Sequence, residues 1–88
     1  SYRRTHDFVG IVRELKDDGR GLVEGRNRFF PGETLELIGP GMRQARFVAG
    51  RLRSETGNEL TVGQPNGRIL MPLPTGAQVG DLLRREGK

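Results

Sequence analysis

The sequence contains no cysteine. That excludes disulfides, iron–sulfur ligation and thiol catalysis within the chain, and it fits a cytoplasmic protein. No apolar run approaches the roughly 18 residues of a membrane-spanning helix, so no membrane is expected as a partner. No basic-then-apolar leader opens the chain. Histidine occurs once, at His6, and serine only at Ser1 and Ser54, neither in a nucleophile-elbow context. A nucleophile–histidine–acid triad needs three converging side chains. Asp7 follows His6 directly, and adjacent strand residues point to opposite faces, so Asp7 is poorly placed to orient it. His6 is read as an exposed or capping residue. Lysine is nearly absent, at Lys16 and Lys88 only, so 13 of the 15 basic residues are arginine. No i, i+3, i+4, i+7 stripe is long enough for a helix.

What remains is 88 residues and 9.8 kDa, one domain with one modest core. Starting at Ser1 rather than Met, the chain is read as a domain excised from a longer protein. The net charge of +4 and the arginine forks permit binding of an anionic partner without requiring it. Short apolar runs alternate with Gly-rich turns about every ten residues, a spacing that favours a small barrel or sandwich. Phe8–Leu15 is read as the first strand, with Val9, Ile11 and Leu15 on one face and Phe8 and Val12 on the other. Asp17-Asp18-Gly19 turns it into a returning strand over 21–27. Further strands are expected at Thr34–Ile38, over a long 45–53 segment, at Glu59–Val62 and at Arg68–Pro72. Val79–Arg85 is read as a strand or a short helical turn. In the 45–53 strand, Val48 and Leu52 are expected on one face and Phe47, Arg51 and Arg53 on the other.

A half-repeat links Gly32-Glu33-Thr34-Leu35 to Gly80-Asp81-Leu82-Leu83. In each, glycine makes a turn and the acid can accept backbone N–H bonds ahead of an apolar strand. Asp17-Asp18 offers too few oxygens for a cation, and no third acid recurs at loop spacing, so hairpin-turn chemistry is preferred. Gly39-Pro40-Gly41 lacks the lysine and the strand-to-helix context of a phosphate loop.

The candidate binding residues are basic and aromatic. Arg26 and Arg28 alternate along a presumed strand and could grip successive phosphates, with Phe29 or Phe30 as a stacking group. The bland alternative, favoured for the aromatics, makes Phe29 or Phe30 core and the arginines a solvated face. Arg46, Arg51, Arg53 and Arg68 form a second basic group, on strands expected to be neighbours. A solvated basic face is the default for that group.

The stretch Arg26-Asn27-Arg28-Phe29-Phe30-Pro31-Gly32-Glu33, followed by Leu35-Glu36 and Gly39-Pro40-Gly41, resembles the C-terminal domain of the collagenase-like bacterial peptidases, peptidase family U-32. Phe8-Val9-Gly10, the turn Gln64-Pro65, the segment Ile69-Leu70-Met71-Pro72-Leu73-Pro74 and the ending Asp81-Leu82-Leu83-Arg84-Arg85 extend the resemblance over nearly the whole chain. Gln64 stands where the family often has histidine before proline, so that turn is assigned no chemistry. The resemblance implies a small β-barrel similar to those of translation factors. It also implies an accessory role beside a large N-terminal catalytic domain of the parent, which resembles a peptidase and whose relatives include RNA-hydroxylation proteins. No cofactor is implied in this domain, because any cluster cysteines lie in the N-terminal part.

The expectation is therefore an all-β, mostly antiparallel barrel of six or seven strands over 8–85, with a linker at 1–7 and a tail at 86–88. It is expected to be a non-catalytic accessory domain that positions substrate or the catalytic domain. One rival is an RNA-binding barrel, with tRNA or rRNA as partner. Another is a protein-docking module with an exposed apolar patch around Phe30, Leu70 or Leu83.

Overall fold

The computed structural model describes residues 6–86. Of the expected linker and tail, 1–5 and 87–88, with Arg3 and Arg4, lie outside the described residues. His6 and Asp7 belong to the first strand. Eight strands follow in order: β1 (His6–Leu15), β2 (Arg20–Gly25), β3 (Thr34–Gly39), β4 (Arg43–Val48), β5 (Leu52–Arg53), β6 (Glu59–Leu60), β7 (Arg68–Pro72) and β8 (Leu82–Glu86). They form one sheet in the order β4-β3-β8-β1-β2-β7-β5-β6, with every ladder antiparallel. The all-β class is as expected. The count is eight, and no ladder closes β4 onto β6 among the described residues. No helix there is long and apolar enough to cross a membrane.

The extra strand comes from a break in the 45–53 segment. Ala49 N–H donates to Glu33 O and Ala49 O accepts from Gly32 N–H, both at 2.8 Å. This irregular pair ends β4, and the chain then crosses through Gly50 and Arg51 to begin β5, where Leu52 faces Leu60. Val48 and Leu52 therefore do not share a face: Val48 is exposed and Leu52 fully buried. The expected faces of β1 also need correction. Its register shifts between Phe8 and Gly10 against β8, and between Val12 and Glu14 against β2. Each bulge inserts one residue and resets the alternation. Val9 and Val12 consequently both enter the core, whereas Leu15 is exposed. β2 ends at Gly25, so Arg26–Asn27 is loop. Leu70 and Leu83 are core residues and form no surface patch; of the expected trio, only Phe30 is exposed.

The core joins Val9, Val12, Val23, Phe29, Leu35, Leu37, Leu52, Ile69, Met71 and Leu83. Two glycines are dictated by close approach to it. A Cβ on Gly63 would lie 2.6 Å from the Phe29 ring. A Cβ on Gly25 would lie 2.2 Å from the Gln64 carbonyl oxygen, a backbone atom held by the Gly25–Gly67 and Asn66–Gly25 hydrogen bonds. Gly25→Ala is expected to cost about 2 kcal/mol, or roughly 8–16 °C in Tm. Gly50→Ala is the control, because its Cβ would meet Pro72 Cγ at an ordinary 3.4 Å. Equal melting temperatures for the two variants would show that the Gln64 segment yields without cost.

The half-repeat has a structural counterpart. Gly32 and Gly80 take φ of +94° and +95°. Glu33 Oε2 accepts from Phe30 N–H at 2.8 Å and Asp81 Oδ2 from Gln78 N–H at 2.9 Å, each three residues back. The strands that follow, β3 and β8, pair with one another, Leu37 opposite Leu83. Each acid also holds an arginine: Arg85 Nε lies 2.8 Å from Glu33 Oε1, and Arg43 Nη2 lies 2.8 Å from Asp81 Oδ1.

Candidate functional site

The loop after β2 is strapped to the start of β1 and the end of β8. Arg26 N–H donates to Val9 O at 2.8 Å, and Asn27 Nδ2 donates to Phe8 O at 2.6 Å. Arg85 Nη2 donates to the Arg28 carbonyl. Phe29 then exchanges two backbone hydrogen bonds with Gly63, at 3.1 and 2.7 Å. These bonds push the Phe29 ring into the core and turn Arg26, Arg28 and Phe30 outward. The two adjacent aromatics therefore divide the alternatives: Phe29 is 0% exposed and Phe30 47%.

The second basic group does not stay together. Arg46 lies on β4, at one end of the sheet order, opposite Glu36 of β3. Arg53 on β5 and Arg68 on β7 belong to neighbouring strands, with Arg53 opposite Leu70. Arg51 is exposed in the crossover before β5. Arg53 Nη1 donates to Gly57 O at 3.3 Å, and Arg68 Nε lies 3.3 Å from Glu55 Oε2. Five strands separate β4 from β5 in the sheet order, so Arg46 stands on a different ladder from the rest.

The structure instead joins one member of each group. Glu24 on β2 stands opposite Arg68 on β7. Its carboxyl is held below the usual range, first by the Arg13 hydrogen bond, with smaller attractions from Arg26 and Arg68. Arg13 Nε sits 2.8 Å from Glu24 Oε1. Three arginines thus gather about one carboxylate on the outer face of β1, β2 and β7, and Arg28 and Phe30 continue from it along the loop. Arg13 is the member that sequence reasoning missed. It is the residue inserted by the Val12/Glu14 bulge, and a bulge re-aims a side chain that strict alternation would place elsewhere. The available signal was an arginine interrupting the apolar face assumed for β1.

The other acids are matched more evenly. Asp18 accepts from Arg20 N–H at 3.1 Å and from Arg20 Nε at 2.9 Å, which is the expected turn chemistry and holds its carboxyl low. Glu36 takes Arg84 Nε at 2.8 Å. No group of three His, Cys, Asp or Glu side chains among the described residues is arranged to hold a metal ion. A groove of about 250 Å³ separates the β1–β2 turn from Leu73–Ala77. Its cations, Lys16 and Arg20, are tied to Glu14 and Asp18, so it offers no free positive charge for an anion.

The family model of the peptidase family U32 C-terminal domain matches residues 4–84. The chain belongs to that family. The crystal structure of the C-terminal domain of a Geobacillus thermoleovorans U32 family peptidase resembles this U32 domain at TM-score 0.85 and 27% identity, covering 99% of this chain and 100% of that one. The selenomethionine variant of that domain gives TM-score 0.83 and 26% identity over 90% of this chain and 99% of that one. No curated protein matches the chain. The U32 family resemblance carried by the Arg26–Glu33 stretch is thus confirmed. In this U32 domain the same stretch supplies Phe29 to the core, Glu33 to the Arg85 pair and Arg26 to the surface cluster.

Proposed function

We infer that this chain is a non-catalytic accessory domain of a U32 family protein, working in the cytoplasm, and that its basic face positions substrate or the parent's N-terminal catalytic domain. The observation that supports this reading is the gathering of Arg13, Arg26 and Arg68 about Glu24, three arginines against the two carboxylates of Glu24 and of Glu55, which pairs with Arg68. On a surface where the neighbouring acids are matched by arginines, that excess of positive charge marks where an anionic partner gains most. A second reading, an RNA-binding barrel for tRNA or rRNA, is favoured by Phe30: it is 47% exposed, two residues from Arg28, and offers a base a stacking surface.

The test is binding of the 88-residue chain to the N-terminal part of its parent and to labelled tRNA, each over a salt series. Arg26→Ala with Arg68→Ala is run alongside; both side chains are exposed, so melting should move little. The accessory reading expects binding to the N-terminal part that weakens about tenfold in the double variant. The RNA reading expects a log–log salt slope of about −2 to −3 for three phosphate contacts. Binding of neither partner at low salt would overturn both readings and leave the arginines as solvated surface.

A further inference from the structure

The outer face of β1, β8 and β3 carries a row of apolar side chains that the core does not use. Ile11 stands opposite Leu82, and Leu82 opposite Ile38. All three are half-buried, and none belongs to the core cluster. Their chain neighbours Val12, Leu83 and Leu37 are core residues, so alternation turns these three outward. The next row begins with Phe8, 40% exposed and opposite Arg84. The bulge between Phe8 and Gly10 puts Phe8 on the same face as Ile11 despite their spacing of three. Arg84 is matched there by Glu36, Nε to Oε1 at 2.8 Å. In a chain with 30% charged residues, the row from Ile11 to Ile38 carries no charge. On its other side Ile11 faces Glu24 of β2, so the apolar row runs directly into the arginine cluster.

We propose that this face docks an uncharged, apolar patch of the parent's N-terminal part, with Phe8 as the anchor; this rests on the accessory-domain reading and assigns the docking to the apolar half of the face. The first reason is position. His6 pairs with Glu86, so both ends of the domain meet at one point of the β1–β8 ladder, and Phe8 lies about 7 Å further along it. Polypeptide joining this C-terminal domain to the rest of a U32 protein leaves beside Phe8, whichever end it uses. The second reason is size. The patch spans two strand spacings, about 10 Å, and about 10 Å along the strands, which gives on the order of 200 Å² with its side chains. Two free copies of the chain would need roughly 800 Å² each. Contacts between domains of one chain begin near 300 Å² a side, a scale the patch reaches with the adjoining Arg84–Glu36 row. A short tether holds such a partner at about millimolar concentration, so a small contact suffices. With the apolar half covered, Arg13, Arg26 and Arg68 stay open at the border of the docked part, where a substrate shared by both parts would lie.

The test is hydroxyl-radical footprinting of side chains in the full-length parent and in the 88-residue chain. Oxidation of Phe8, Leu82 and Ile38 is expected to be largely lost in the full-length protein, while Phe30 on the basic side keeps its own. Phe8→Lys puts a charge into the contact and is expected to restore oxidation of Leu82 and Ile38 in the full-length protein. The same change should move Tm of the 88-residue chain by no more than about 4 °C, because the ring is exposed. Equal oxidation of Phe8, Leu82 and Ile38 in the two proteins overturns the proposal. Protection of Phe30 in their place also overturns it, and leaves standing the reading in which the basic face meets the N-terminal part. Protection of Phe8 that rises with the concentration of the 88-residue chain alone assigns the face to a second copy instead.

Discussion

Phe29→Ala is expected to destabilise the domain by roughly 3–5 kcal/mol, a fall in Tm of at least about 12 °C. The ring is fully buried and among the largest side chains in the core. It lies against Gly63, whose missing Cβ leaves the ring its place, and its own backbone is clamped to the same glycine by two hydrogen bonds. Those bonds hold the loop in position when the ring is removed, so the cavity has little opportunity to collapse. A domain of this size has total stability of only about 5–15 kcal/mol, so the loss is a large fraction of it. Phe30→Ala, one residue on, is expected to shift stability by no more than about 0.5 kcal/mol, because its ring is half exposed. Thermal melts of the two variants by circular dichroism check the contrast. Similar falls in both would mean that the assignment of core and surface aromatic is wrong.

Asp81→Asn is expected to cost roughly 2–3 kcal/mol at neutral pH. The carboxylate is 1% exposed yet carries full work: it accepts from Arg43 Nη1 at 3.0 Å, from Arg43 Nη2 at 2.8 Å and from Gln78 N–H at 2.9 Å. An amide in its place would present one N–H₂ group to a guanidinium. Gly39 leaves room for the pair, since a Cβ there would lie 2.1 Å from Arg43 Nη2 and 2.7 Å from Asp81 Oδ1. The Arg43 hydrogen bond, helped by the Gln78 N–H, outweighs burial and holds the Asp81 carboxyl below its ordinary value. A depressed carboxylate stabilises the folded state fully above the unfolded value of about 3.9 and loses that contribution as pH falls through the folded value. Melting temperatures of parent and variant should therefore differ most near pH 7 and draw together as pH falls below the unfolded value of about 3.9. A gap that stays constant down to pH 2 would show that the effect is one of packing rather than charge. Glu33 acts in the same direction, its burial outweighed by Arg85 and by the Phe30 N–H, so it adds to the same acid limb.

Much of this organisation was legible in the residues. Glycine-punctuated apolar runs pointed to an antiparallel all-β domain, and the Gly-acid-x-Leu half-repeat anticipated two turns whose acids each cap a backbone N–H three residues earlier. The Asp17-Asp18-Gly19 hairpin followed from local turn chemistry alone. What failed depended on bulges. The inserted residues of β1 brought Val9 and Val12 onto one face and sent Arg13 to Glu24, which no period-two pattern can show. Likewise, the irregular pair at Ala49 cut one apparent strand in two and placed Leu52 on β5, six places from β4 in the sheet order.

The candidate site divides along the same line. Sequence alone determined that arginine is the dominant cation and that Arg26, Arg28 and Arg68 belong to polar positions. It also favoured the core for one of two adjacent phenylalanines, because each of these follows from residue type and local spacing. Tertiary structure alone decided which phenylalanine that is, since the choice rests on a bridge to Gly63, thirty-four residues away. It also decided that Arg26 and Arg68 meet Arg13 at one carboxylate while Arg46 lies elsewhere, on β4 at one end of the sheet order among the described residues. These outcomes depend on strand order and register, which are set by contacts between segments distant in the chain and leave no mark on any short stretch of it.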